Sequence, residues 1–223
     1  MKIEFRALVD ELGEQLVNEH RFQRTGYRFI RDDGVMRSAW FKRGTSTRGE
    51  FHFDILFDLG LSGLSTFSSE AQAWVVRADA SGMRSAPGQR RLKLRLTGDD
   101  EQLASGLRQL CSVIYDDFLL RHDTSEDLYR WVRQSAISFS ADHTVQDDFA
   151  RFELQPWNAV VRLELAAVYA AYLGDLDDAT QLVTLAAERA RSIGRRDAVV
   201  KIQQSVADAA HTAGYRWPTV DRL

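Results

Sequence analysis

EFHFDILFDLG, Glu50 to Gly60, sets Phe51, Phe53, Ile55 and Phe57 alternately with His52, Asp54 and Asp58. Period-two alternation over this length predicts a half-buried β-strand, apolar side inward. The same spacing gathers His52, Asp54 and Asp58 on one face, so the stretch is both the centre of the fold and the nearest thing to a reactive cluster. Same-face neighbours on a strand stand about 7 Å apart. Two of them alone do not grip a first-row metal, and further ligands would have to come from another strand. No metal site is assigned.

Upstream, YRFIRD and VMRSAWFKR flank Asp33-Gly34, the dipeptide most typical of a two-residue type I′ hairpin. Such a turn sets Asp32 opposite Val35, Phe29 opposite Ser38 and Tyr27 opposite Trp40. A second connection, GTSTRG (residues 44–49), would pair Arg43 with Glu50, Trp40 with Phe53 and Ser38 with Ile55. On this register Tyr27, Phe29, Met36, Trp40, Phe51, Phe53, Ile55 and Phe57 form one apolar face. Arg28, Ile30, Arg37, Ala39, Phe41, His52, Asp54, Leu56 and Asp58 form the other. Further upstream Phe5, Leu8, Val9, Leu12 and Leu16 make a single helical stripe, and this amphipathic helix is expected on the apolar face.

Downstream, AWVVRA (residues 73–78) and RLKLRL (residues 91–96) read as further strands, the second with a basic outer face. Leu103, Leu107, Leu110, Cys111, Ile114 and Phe118 then follow a helical stripe. Strand signals stop near Asp123. Thr124 with Asp127 resembles a capping box opening a helix through Leu128, Trp131 and Val132, and an irregular polar piece, residues 138–155, follows. Pro156 suits the first turn of a helix running to Leu173. Gly174 ends it, a second helix spans about Asp177 to Ile193, and a third about Arg196 to Ala213. The fold class expected is α+β. An antiparallel meander carries the N-terminal helix over residues 1–122, and a helical region docks on it over residues 123–223.

The piece LELAAVYAAYLGDLDDATQLVTLAAERA resembles one tetratricopeptide-type helical hairpin, with Leu163, Ala166, Ala167, Ala170, Gly174, Ala179, Val183 and Ala186 near that family's packing positions. Over Phe5 to about Gly60, the N-terminal helix, Phe22-Gln23-Arg24 with Tyr27-Arg28-Phe29, and the two aromatic-rich strands ending in FDLG resemble an uncharacterised bacterial family catalogued as domain of unknown function 4304. That resemblance covers about a quarter of the chain. It implies an α+β fold and a bacterial cytoplasmic protein, and it brings no catalytic residues.

The 223 residues carry a net charge of −3, which does not favour a protein that coats nucleic acid. A single cysteine excludes an internal disulfide framework and fits a reducing compartment. The charged N-terminus, MKIEFRALVDELGEQL, lacks the apolar core of a secretory signal, and no stretch approaches the roughly 20 apolar residues of a membrane span. The expected location is the cytoplasm. A phosphate loop, GxSxG, HExxH and a dinucleotide fingerprint are all missing, so no cofactor is implied and the chain leans away from an enzyme.

The candidate binding residues are Arg28, Arg37, Phe41, His52, Asp54 and Asp58 on the outer sheet face, with Arg37 diagonally near Asp54 and Asp58 as a cross-strand ion pair. A basic strip of Arg77, Arg91, Lys93 and Arg95 would discourage edge-to-edge sheet pairing or attract an acidic surface. Cys111 reads as a buried hydrophobe. Aromatic and arginine residues on a sheet face are enriched at interfaces. The function expected is therefore a non-enzymatic protein-binding or adaptor module, immunity-like in character, with a protein partner. The rival is a hydrolase or small-ligand protein that uses the polar residues of the sheet face.

Overall fold

The computed structural model describes residues 5–43, 51–64, 74–79, 95–96, 105, 108–109, 111–142, 154, 156 and 158–218. In chain order these form α1 (Phe5–Asn18), β1 (Gln23–Thr25), β2 (Arg28–Asp32), β3 (Val35–Arg43), β4 (Phe51–Leu61), β5 (Val75–Asp79) and β6 (Arg95–Leu96). A π-helical segment (Tyr115–Leu119) precedes four helices, α2 (Ser125–Ala141), α3 (Ala159–Leu173), α4 (Leu176–Ser192) and α5 (Arg196–Thr212). The protein is α+β. Contacts divide it into one unit of Met1–Leu59 with Arg77–Asp123, and another of Gly60–Val76 with Thr124–Leu223.

In the first unit the strands follow the order β1-β2-β3-β4-β5, a meander, and β6 pairs with β4 off this path. The β2–β3 register differs from the expected one by a single residue. Phe29 faces Ala39, Ile30 faces Ser38 and Asp32 faces Met36, so three residues rather than two lie between the last paired positions. A type I′ turn needs positive φ at both central residues. Here Gly34 has φ 98°, but Arg21 is the only described non-glycine residue with positive φ, so Asp33 keeps the ordinary hand. The Asp33 carboxylate accepts from Arg31 Nε at 2.7 Å and also from Arg37, which holds it over the like-charged Arg31–Arg37 pair.

The slip turns β3 over. Phe29 shares its face with Arg37, Ala39 and Phe41, and the Phe29 and Phe41 rings meet edge-on at 5.6 Å. Ser38 Oγ lies 3.5 Å from Asp58 Oδ2, so Ser38 is on the side of Asp58 and not on that of Ile55. The expected Trp40–Phe53 and Ser38–Ile55 pairing is corrected accordingly. β4 keeps its predicted hand. Ile55, Phe57 and Leu59 are buried, and Phe57 meets Tyr115 edge-on at 5.8 Å while the Tyr115 hydroxyl donates to Leu12 O at 2.8 Å.

The α1 stripe of Leu8, Val9, Leu12 and Leu16 is buried as its spacing predicts, each such side chain contributing about 1.5–3 kcal/mol. Gly13 lets the helix come close. A Cβ there would stand 2.0 Å from the Phe29 ring. β1 adds a hairpin through Gly26, whose φ of 62° suits the first position of a two-residue turn. Cys111, Ile114 and Phe118 are buried, in line with the predicted stripe.

In the second unit Thr124 Oγ1 accepts from Asp127 N at 3.1 Å and starts α2, which runs on to Ala141 through residues expected to be irregular. Asn158, two residues after Pro156, caps α3 by accepting from Val160 N at 2.8 Å. Pro156 therefore precedes the helix, and its carbonyl accepts from Arg162 Nε at 2.7 Å. Gly174, with φ 87°, ends α3 in the left-handed conformation, and Asp175 caps α4 through Asp178 N. α3 packs against α2, α4 and α5, which explains why it is apolar almost all round. Alanines at 166, 167, 170, 179 and 186, the predicted packing positions, are buried and let the backbones approach, and those at 187 and 190 are buried with them. No helix among the described residues is long and apolar enough to cross a membrane.

Candidate functional site

The predicted sheet-face residues separate onto two sides. Arg37, expected on the wet face, is 1% exposed. Its Nε donates to Leu119 O at 3.0 Å, Nη1 to Val35 O at 3.0 Å and to Asp33, and Nη2 to His122 O. The expected pairing of Arg37 with Asp54 and Asp58 is thus replaced by a clamp on the chain leaving the π-helical segment, where a cation also suits the carbonyl end of a helix. Burial works against the charge of both Asp33 and Arg37. For Asp33, hydrogen bonds and attraction from Arg31 and Arg37 outweigh it and hold the carboxyl below its usual range. Phe41 lies on the same side as Arg37 and is buried against Phe29, a core residue in place of an interface one.

On the opposite side Asp58 is fully buried and takes a two-pronged bond from Arg77, Nε to Oδ1 at 2.6 Å and Nη2 to Oδ2 at 3.1 Å. Arg77 is thereby engaged with Asp58. The Arg28 guanidinium stands 5.4 Å over the Trp40 ring. Partial burial depresses its pKa, with Asp58 opposing that shift and Arg77 adding to it, as expected of neighbours on one face. Arg28, Asp58 and Arg77 therefore come together. His52 and Arg95 are paired through their backbones in β4 and β6, but their side chains and that of Asp54 lie outside the described residues, as do Arg91 and Lys93 entirely. No group of three His, Cys, Asp or Glu side chains among the described residues could hold a metal. Burial pushes the Cys111 thiol up to about 12, so it is not a thiolate at neutral pH.

The second unit holds a cleft that sequence reasoning missed. It has a volume of about 580 Å³, inside the range of ligand sites, and lies between α3 and α5 with Trp74 on its wall. Glu164 of α3 and Lys201, Gln204, Ser205 and Asp208 of α5 supply its polar lining. Ser205 Oγ is 2.9 Å from Glu164 Oε1 and 2.9 Å from Lys201 O, so one hydroxyl proton serves two acceptors. Burial raises the Glu164 pKa, and the Ser205 bond only partly opposes that. Gln204 Nε2 donates to Asp208 Oδ1 at 2.7 Å, and Arg195, at the start of α5, pairs with Asp197 at 3.4 Å.

One trace of this cleft exists in the sequence. Arg162 and Glu164 are the only charged residues of α3, an otherwise apolar helix, and a charge in such a setting needs a partner. Arg162 has its own, donating to Pro156 O and to Ser135 Oγ at 3.2 Å with its guanidinium 4.0 Å over Phe139. Among the described residues Glu164 has only Ser205. No family model, curated protein or solved structure matches this chain.

Proposed function

We propose that this chain is a non-enzymatic protein-binding module, an adaptor or immunity-like protein of the bacterial cytoplasm, which takes its partner in the cleft between α3 and α5. The observation that carries this reading is the cleft itself, about 580 Å³ lined by both apolar and hydrogen-bonding side chains on two packed helices. Rigid helices offering a mixed lining suit recognition of a polypeptide, whose backbone needs polar partners and whose side chains need apolar ones. The resemblance of residues 5–60 to domain of unknown function 4304 fits the same cellular setting. The sheet residues proposed for binding from sequence are not needed for it, because Arg37 and Phe41 are buried and Asp58 is occupied by Arg77.

The test is recovery of the full-length chain from cells that express it naturally, beside a variant carrying Lys201→Glu and Gln204→Arg. A partner held in stoichiometric amount by the parent and lost from the variant is the expected result. A partner held equally by both would move the binding surface elsewhere, and repeated recovery of a bare chain would refute the reading.

A further inference from the structure

Resting on the protein-binding reading, we infer that the cleft recognises a basic side chain of an extended partner segment, whose ammonium or guanidinium group docks on Glu164. The first support is an imbalance of charge. Glu164 is half-buried, and its one polar partner among the described residues is a serine hydroxyl already divided between two acceptors. A carboxylate withdrawn from water is stable when a cation reaches it. Lys201 and Arg195 line the same cleft, yet neither forms an ion pair with Glu164, and Arg195 is engaged with Asp197. Among the described residues no cation is paired with Glu164, which leaves a place for one from a partner.

The second support is the wall. Trp74 and Glu164 both line the cleft, and a tryptophan and a carboxylate in one lining are a favourable surrounding for a cationic head with an apolar stem. The third is the layout along α5. Arg195 precedes its first turn and Asp208 lies in its last turns, a separation of about 20 Å at helical rise. That length matches about six residues of extended chain. Such a segment would place its basic residue toward Glu164 and Asp208 and an acidic residue or its carbonyls toward Arg195 and Lys201.

The probe is the blocked tripeptide Ac-Gly-Arg-Gly-NH2, set against its citrulline counterpart, which keeps the shape and loses the charge. Both are titrated into the nitrogen-15-labelled full-length chain and followed by amide shifts. The arginine peptide should shift amides around Glu164 and Ser205 and bind about tenfold more tightly than the citrulline peptide. Glu164→Gln, which keeps the Ser205 contact, should abolish that preference, while Arg130→Ala, on the exposed side of α2 and outside the cleft lining, should preserve it. Equal responses to the two peptides, an undiminished preference in Glu164→Gln, or no shift with either peptide at tens of millimolar would each overturn the inference. A natural partner lost from the Lys201→Glu, Gln204→Arg variant but retained by Glu164→Gln would remove the inference and leave the protein-binding reading standing.

Discussion

Arg37 and Glu164 are both charged side chains withdrawn from water on regular elements, and the protein treats them in opposite ways. Arg37 has the Asp33 carboxylate and three backbone carbonyls around its guanidinium. Glu164, among the described residues, has half of one serine. The first group is saturated, so nothing remains for a ligand to satisfy, and its role is to fasten the chain beyond the π-helical segment to β3. The second keeps acceptor capacity inside a cleft. Saturation, more than burial or charge, separates a structural ion from a candidate recognition group.

That contrast is open to direct attack. Arg37→Met should have the largest effect, lowering stability by about 3–5 kcal/mol in chemical denaturation because Asp33 and three carbonyls lose a buried donor. A loss under 1 kcal/mol would mean that the clamp is not what holds this region. Arg77→Met comes next, at about 2–3 kcal/mol, since it takes the two-pronged donor from the buried Asp58 carboxylate but removes a guanidinium about a third exposed. Near-neutral behaviour there would show that Arg77 is not what holds Asp58 in place.

The pH dependence sharpens the contrast further because the two carboxyls act with opposite sign. Asp33 is held below its unfolded value, so its contribution is present above that value and is lost as pH falls through the folded one. Glu164 is raised, so its protonated form favours the fold below the unfolded value, and that advantage declines as pH rises through the folded one. Asp33→Asn should flatten the acid limb of a stability–pH profile. Glu164→Gln should remove the decline on the higher side, and at pH 7 its stability should match or slightly exceed the parent's. This is the smallest effect of the series, and a clear destabilisation by Glu164→Gln would assign the carboxylate a structural role like that of Arg37.

The parts of the fold that were legible from sequence are those decided locally or by period. Thr124 with Asp127 capped α2, Gly174 ended α3, and Ile55 and Phe57 went inward on β4. The β2–β3 register was not legible, because Asp-Gly serves two-residue and three-residue connections alike. The choice is associated with the Asp33 carboxylate held by Arg31 and Arg37, a contact visible only once both strands are in place. Gln23–Thr25 escaped notice because all three residues are exposed and carry no apolar alternation. The cleft escaped for a different reason. Glu164 and Ser205 are 41 residues apart, and only the packing of α5 on α3 brings them together.

Gly13 carries a consequence for how α1 is located. The Phe29 ring occupies the volume that a methyl group at position 13 would claim. Since each helical step turns by about 100°, rotating α1 by one residue would bring Leu12 or Glu14 onto that ring. The helix therefore has a single azimuth on its sheet, keyed by a notch of missing atoms instead of by an added contact.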